Sequence, residues 1–361
     1  MGEPEPASRP TGPLSAAGAW RMIQLTPVMR RLLLGLALVL ALPASAQAAQ
    51  VSAFYYPWYG TSAADGSYLH WSQLGHAPPN DIASAYYPAR GLYSSADRVV
   101  VGEQMDEIRN AGIEEIVVSW WGRGSAEDAR LPTVVAAAHA DGIAVAVHLE
   151  PYLGRSVEST VADVAYLRGY GIRSFYVYRP FDLPVADWAA AKAPLHAGGS
   201  TFYAQTPLAG AAAAAGFDGV YTYDIVVYSG DKFGRLCAEA HAAKLLCAPS
   251  VGPGYDARRG SGDPKVKPRR RGATYDAMWR SAIAAGADEV TITSYNEWHE
   301  GTQIEPAAVF PRRRGRYRYA TYDGAYGLHG SAAEYAYLIR TRYWSDVFRS
   351  TSPLQPKTKA S

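Results

Sequence analysis

Glu297 and Glu300 stand three residues apart in the stretch Thr291–Pro306, which reads TITSYNEWHEGTQIEP. Trp298 and His299 lie between them, and Glu305 follows closely. The run before them, Glu289-Val290-Thr291-Ile292-Thr293, is β-branched and largely apolar, as a buried strand requires. Two carboxylates beside an indole and an imidazole are the components for cleaving a glycosidic bond. One carboxyl group donates a proton to the leaving oxygen, the other acts as base or nucleophile, and aromatic faces hold the sugar ring. A solvated acidic turn would rarely carry Trp, His and Glu directly after a buried strand, where a rigid scaffold presents functional loops.

Such a pair needs elements to position it. From Val51 onward, β-rich runs alternate with helical stretches. Strands are expected at 51–57, 115–120, 144–149, 174–178, 201–205, 219–223, 244–248 and 289–294. Helices are expected at 97–111, 131–141, 159–169, 185–193, 231–242, 275–285 and 332–343. Val100, Met105, Ile108 and Ala111 give the first of these helices an apolar stripe. Eight strand–helix repeats predict an α/β fold, a single (β/α)8 TIM barrel over residues 50–348. The unusual polar and aromatic residues follow the strands: Tyr55–Gly60, Ser119–Gly122, His148–Tyr152, Tyr221–Asp224, Pro249–Asp256 and the Glu297/Glu300 cluster. These are C-terminal strand ends, the face on which parallel barrels build active sites.

The composition suits a globular protein: 361 residues, 48% hydrophobic and 19% charged, with a net charge of +2 that implies no polyanionic partner. The 26 Tyr and 9 Trp are the outlier, which a carbohydrate cleft or a Tyr-rich core would each explain. Two segments are strongly basic, Arg258–Gly272 and Arg312–Arg318. The first reads as a mobile solvated loop, with a lid over the cleft as the alternative. Neither carries an RNA-binding signature, so no nucleic-acid partner is expected. Arg30-Arg31, the apolar run Leu32–Leu42 and Ala44-Ser45-Ala46 form a basic, hydrophobic and cleavable leader, too short for a membrane span. Residues 1–49 are therefore expected to be an extension plus a signal peptide (about 29–49, starting at Met1 or Met29), and 349–361 a disordered tail. The mature chain is expected to be exported, without a stable membrane span, and monomeric. Cys237 and Cys247 are read equally as a disulfide or as two buried thiols.

The segments YYPWYG (Tyr55–Gly60), SWWG (Ser119–Gly122), HLEPY (His148–Tyr152), PSVGPGYD (Pro249–Asp256) and SYNEWHEGTQIEP (Ser294–Pro306) resemble glycoside hydrolase family 99. The resemblance spans roughly residues 51–345. It implies a (β/α)8 barrel and a retaining endo-α-1,2-mannosidase or endo-α-1,2-mannanase without a metal or other cofactor. In that chemistry one carboxylate draws the proton from the sugar's own 2-hydroxyl, which attacks the anomeric carbon and gives a 1,2-anhydro sugar. By position Glu297 would be that base and Glu300 the general acid/base, with Glu300 protonated and Glu297 ionised at rest. Glu150 would be a hydroxyl ligand near the reacting sugar or a structural acid. Trp58 and Trp121 would be stacking platforms or rim packing. Tyr56 and Tyr223 would bond sugar hydroxyls or the acid pair, or simply pack. His148, Tyr255, Tyr295, Asn296 and Trp298 complete the candidate substrate-binding set. His148 and His299 are read as hydrogen-bond partners rather than metal ligands. The expected ligand is an α-mannan or another α-linked oligosaccharide or polysaccharide. The alternatives are a hydrolase of another α-linked surface polysaccharide and a non-catalytic glycan-binding barrel.

Overall fold

The computed structural model describes residues 50–351, so the expected leader and the end of the tail lie outside the described residues. In chain order the strands are β1 (Gln50–Tyr55), β2 (Glu115–Trp120), β3 (Ala144–Leu149), β4 (Ser174–Val177), β5 (Thr201–Gln205), β6 (Gly219–Tyr221), β7 (Leu246–Ala248) and β8 (Ser250–Val251). Two short ribbons, β9 (Tyr255–Asp256) with β10 (Val266–Lys267) and β12 (Arg313–Arg314) with β13 (Tyr317–Arg318), flank β11 (Glu289–Ile292). The main sheet runs β7-β6-β5-β4-β3-β2-β1-β11-β8, with every pairing parallel. Only Pro249 separates β7 from β8, and proline has no N–H to give to a ladder. β7 pairs with β6 and β8 with β11, so nine strands make eight staves of a nearly closed TIM barrel.

Parallel staves are buried on both faces and read as continuous apolar runs; β2 (EIVVSW) is buried at all positions. Alternation still sorts the two faces. Ala53 and Tyr55 join the layer between strands and helices, whereas Phe54 and Tyr56 join the barrel interior with Val117, Ala146, Tyr176, Tyr203, Tyr221, Tyr223 and Ala248. Much of the tyrosine load is thus interior packing.

The surrounding helices start at polar caps. Asp97 accepts from the Val99 amide ahead of Arg98–Asn110, Ser125 from Asp128 ahead of Ala126–Ala140, and Ser156 forms a capping box with Ser159 ahead of Val157–Leu167. Between β5 and β6 lies a helix the sequence reading did not expect, Ala209–Ala215. Its sequence, AGAAAAA, has no apolar–polar period to read, although alanine is the best helix former. The closing helix is Ala336–Thr351, later than the expected 332–343. Cys237 and Cys247 are bonded, tying the helix Phe233–Ala242 to β7. No helix among the described residues is long and apolar enough to cross a membrane.

Candidate active site

The loop after β11 is pinned before it can present anything. The Asn296 side chain accepts from the Tyr56 amide (2.7 Å) and donates to the Tyr56 carbonyl (3.1 Å), lashing the loop to the end of β1. The Tyr59 hydroxyl accepts from the Trp298 amide (3.0 Å) and donates to the Asn296 carbonyl (3.1 Å). Trp298 is fully buried and its Nε1 donates to Glu305 Oε2 at 2.7 Å. Glu305 also receives Arg90 Nε (3.2 Å), the Tyr93 hydroxyl (2.8 Å) and Gln104 Nε2 (2.8 Å). The Tyr295 hydroxyl donates to Glu107 Oε2 at 2.6 Å, on the helix outside β1. Asn296, Trp298 and Tyr295 therefore anchor the loop: each is fully buried and makes its hydrogen bonds within the protein.

Those anchors leave Glu297 and Glu300 facing a cavity of about 460 Å³ at the C-terminal end of the barrel. Trp58, His70, Gln73, Trp121, Glu127, Ser261 and His299 line it with them. Trp121 is 38% exposed there, while its neighbour Trp120 is fully buried and donates to Asp128 at 2.9 Å. Trp58 is half-buried and stacks on the His70 ring, with centroids 4.5 Å apart at an interplanar angle of 9°. Ser261 comes from the basic loop, which is packed against the site rather than loose. A Cβ on Gly260 would stand 2.3 Å from the His299 carbonyl oxygen, and the Asp256 amide donates to the Glu300 carbonyl at 2.8 Å.

Beneath the acids the interior continues as a polar network. The Tyr56 and Tyr223 hydroxyls share a short hydrogen bond. Tyr223 stacks on His148, centroids 5.6 Å apart, and His148 Nε2 meets the Tyr221 hydroxyl at 2.8 Å. His148 Nδ1 lies 2.9 Å from Glu150 Oε1, off the line of a good hydrogen bond. Ser119 Oγ donates to the same oxygen at 2.8 Å. Glu150, Tyr56, Tyr223 and His148 are all buried in this network. The Tyr255 hydroxyl donates to Asp263 at 3.0 Å on the flank of the loop. Of the predicted set, Trp58, Trp121, Glu297 and Glu300 line the cleft directly, and Tyr56, His148, Glu150 and Tyr223 support it from below. His70, Gln73, Glu127 and Ser261 were not named individually, although each lies in a segment that follows a strand's C-terminal end (β1, β2 or β8), where the barrel rule places a site.

Burial sets the electrostatics. Glu300 is pushed up to about 8, first by burial and then by Asp224, Glu150 and Asp263, against the Tyr223 hydrogen bond. Glu297 is also pushed well above the usual carboxyl range, first by burial and then by the charge of Glu300, against the His299 amide. A coulombic pair of this kind holds its protons together as a unit. Both carboxyl groups therefore hold protons more firmly than an ordinary glutamate does. Among the described residues no group of three or more His, Cys, Asp or Glu is placed to hold a metal ion.

The family model described as glycosyl hydrolase family 99 matches residues 47–350. A glycoprotein endo-α-1,2-mannosidase-like protein of Danio rerio is 33% identical, covering 82% of this chain and 77% of its own. The glycoprotein endo-α-1,2-mannosidase of Mus musculus is 31% identical, over 86% of this chain and 78% of its own. The structure of the family-99 endo-α-mannosidase from Bacteroides thetaiotaomicron superposes with a TM-score of 0.74 at 31% identity, covering 84% of this chain and 98% of the other.

Proposed function

This chain belongs to glycosyl hydrolase family 99 and is a glycoside hydrolase; from that premise we propose that it is a retaining, endo-acting enzyme that cleaves α-mannosidic linkages in a mannan or mannosyl oligosaccharide. The observation that carries the reading is the Glu297/Glu300 pair, with Glu297 buried and Glu300 half-buried, bordering an open cleft lined by Trp58 and Trp121. Relatives whose names carry endo-α-1,2-mannosidase activity support the choice of sugar.

In the proposed reaction the Glu297 carboxylate takes the proton of the sugar 2-hydroxyl. The freed oxygen attacks the anomeric carbon, the glycosidic bond breaks, and the leaving oxygen takes the proton of Glu300. The product of this step is a 1,2-anhydro sugar. Glu300, now ionised, takes a proton from water, whose oxygen attacks the anomeric carbon from the α face. The anhydro ring opens and the 2-oxygen recovers its proton from Glu297. The axial 2-hydroxyl of an α-mannoside stands anti to the axial leaving group, so that stereochemistry is the one the route needs. A strongly basic Glu297 suits abstraction from an alcohol, and a Glu300 protonated to about 8 suits protonation of a leaving group. We also read the chain as exported, supported by the leader pattern and by the Cys237–Cys247 disulfide.

The test is incubation with α-1,2-linked mannan and with mannosyl-α-1,3- and glucosyl-α-1,3-mannosyl oligosaccharides. Internal cleavage, with products identified by mass and the first-formed anomer α by NMR, is expected. Intact glycans in every case would overturn the assignment, and a β product would overturn retention.

A further inference from the structure

His299 lies beside Glu297, and its ring has only one arrangement of hydrogen open to it. His299 Nε2 is 2.6 Å from the His70 carbonyl oxygen, which can only accept, so Nε2 carries the hydrogen. The ring is buried among Tyr59, Trp58 and His70, and burial holds it neutral, with its proton affinity lowered to about 4. A neutral imidazole with hydrogen on Nε2 presents a bare lone pair at Nδ1. That lone pair lies 3.6 Å from Glu297 Oε1.

We propose that His299 is a positioning residue that strengthens Glu297 as a base by accepting, at Nδ1, the hydrogen bond of the protonated carboxyl group. The inference rests on the reading of Glu297 as the base for the 2-hydroxyl. An ionised Glu297 meets a lone pair across 3.6 Å and gains nothing from the ring; a protonated Glu297 gains an acceptor when the two atoms close by about 0.6–0.9 Å to hydrogen-bond distance. The difference favours uptake of the sugar proton and costs the carboxylate nothing of its grip on the His299 amide, which donates to Oε1 at 3.2 Å. His70 is part of the device, because its carbonyl fixes the tautomer while its ring stacks on Trp58 and lies against the His299 ring. The other titratable groups facing Glu297 are Glu300 on the same loop, Glu150 after β3, Tyr56 and Tyr59 after β1, and Tyr223 after β6. The acids act by charge and the tyrosines are donors; among these groups only His299 turns a bare nitrogen acceptor toward Oε1.

The experiment compares the wild type with His299→Gln, whose side-chain amide still reaches the His70 carbonyl but offers no acceptor at the Nδ1 position. The pH dependence of kcat/KM on an α-1,2-mannosyl oligosaccharide is recorded for both. The acid limb, which reports ionisation of the base, is expected to move to lower pH by about one unit in the variant, with KM on the plateau changed less than about threefold. Superposable profiles would overturn the proposal. Should the variant not fold, the side-chain ¹⁵N spectrum of wild-type His299 decides: the Nε2–H tautomer at neutral pH is expected, and Nδ1–H or an imidazolium would overturn it. Glu297→Gln is run alongside. If it keeps full activity, the base assignment itself falls; if it is inactive while the His299→Gln profile matches wild type, only the role of His299 falls.

Discussion

Glu115→Gln is expected to make this enzyme more stable at neutral and alkaline pH and to leave it little changed in acid. Glu115 and Glu289 open β2 and β11 at the foot of the barrel and are both buried. Ser52 Oγ lies 3.1 Å from Glu115 Oε1 and 2.6 Å from Glu289 Oε1, and the Tyr176 hydroxyl donates to Glu289. Among the described residues no cation stands within ion-pair distance of either acid. Burial first, and the charge of Glu289 second, push Glu115 from 4.5 up to about 8. The folded value lies above the unfolded one. The contribution is therefore fully present below pH 4.5 and is lost as pH rises toward 8. At about 1.4 kcal/mol per unit, a shift from 4.5 to about 8 amounts to about 5 kcal/mol when Glu115 is ionised, and about 3 kcal/mol of that is already lost at pH 7. Glutamine keeps the acceptor for Ser52, adds a donor toward Glu289 and cannot ionise. Thermal unfolding followed by circular dichroism from pH 4 to pH 9 measures the effect. At about 1.5–2 °C per kcal/mol for a domain of about 300 residues, the variant should melt higher by several degrees at pH 8. A wild-type-minus-variant difference independent of pH would refute the reasoning, because packing changes do not titrate.

Four further outcomes follow from the site. Turnover should fall as pH rises through about 8, because Glu300 must be protonated to assist departure; activity unchanged to pH 10 would remove it as the acid. Glu300→Gln should lose at least about 10²-fold in turnover on a glycan yet recover much of the first step on a substrate with an activated leaving group, whereas Glu297→Gln should recover little. Trp121→Ala should weaken glycan binding by about 1–3 kcal/mol with little change in melting, while Trp120→Ala, which empties a fully buried site, should cost about 3–5 kcal/mol of stability; the reverse pattern in calorimetry and melting would exchange their roles. N-terminal sequencing of exported material should begin between Gln47 and Val51, and a product retaining Met1 would exclude cleavage.

The barrel was legible because its staves are short apolar runs at regular spacing and because the chemistry collects at their C-terminal ends. β8 was hidden by Pro249, which ends the ladder of β7 and lets the next two residues pair on the other side. The acid pair was legible from residue type and spacing, but direction was not. After β11 ends at Ile292 the chain turns through Gly301, whose amide donates to the Trp298 carbonyl at 3.2 Å, and period-two alternation no longer applies. Tyr295 and Trp298 then point into the shell while Glu297 and Glu300 point into the cleft, and nothing in composition separates the two sets. Trp120 and Trp121 pose the same problem at the end of β2. His70 reaches the cleft from a loop with no period at all, and its carbonyl matters as much as its ring.

Three sets of poorly solvated glutamates in one barrel show what makes a carboxyl group chemical. Glu305 is fully buried but receives four hydrogen bonds from Arg90, Tyr93, Gln104 and Trp298, so its charge is met by donors and serves to hold the loop. Glu115 and Glu289 have hydroxyl donors and each other, which makes ionisation costly, and they lie sealed at the foot of the barrel where no substrate can exchange their proton. Glu297 and Glu300 share the same poor solvation and mutual repulsion, but they border a cavity of about 460 Å³. Raised proton affinity is thus common to both ends of the barrel and is not by itself catalytic. The difference is access, and access here is made by the anchors. Asn296, Trp298 and Tyr295 direct their hydrogen bonds into the surrounding shell and hold the loop so that Glu297 and Glu300, which keep few protein partners of their own, face the cavity.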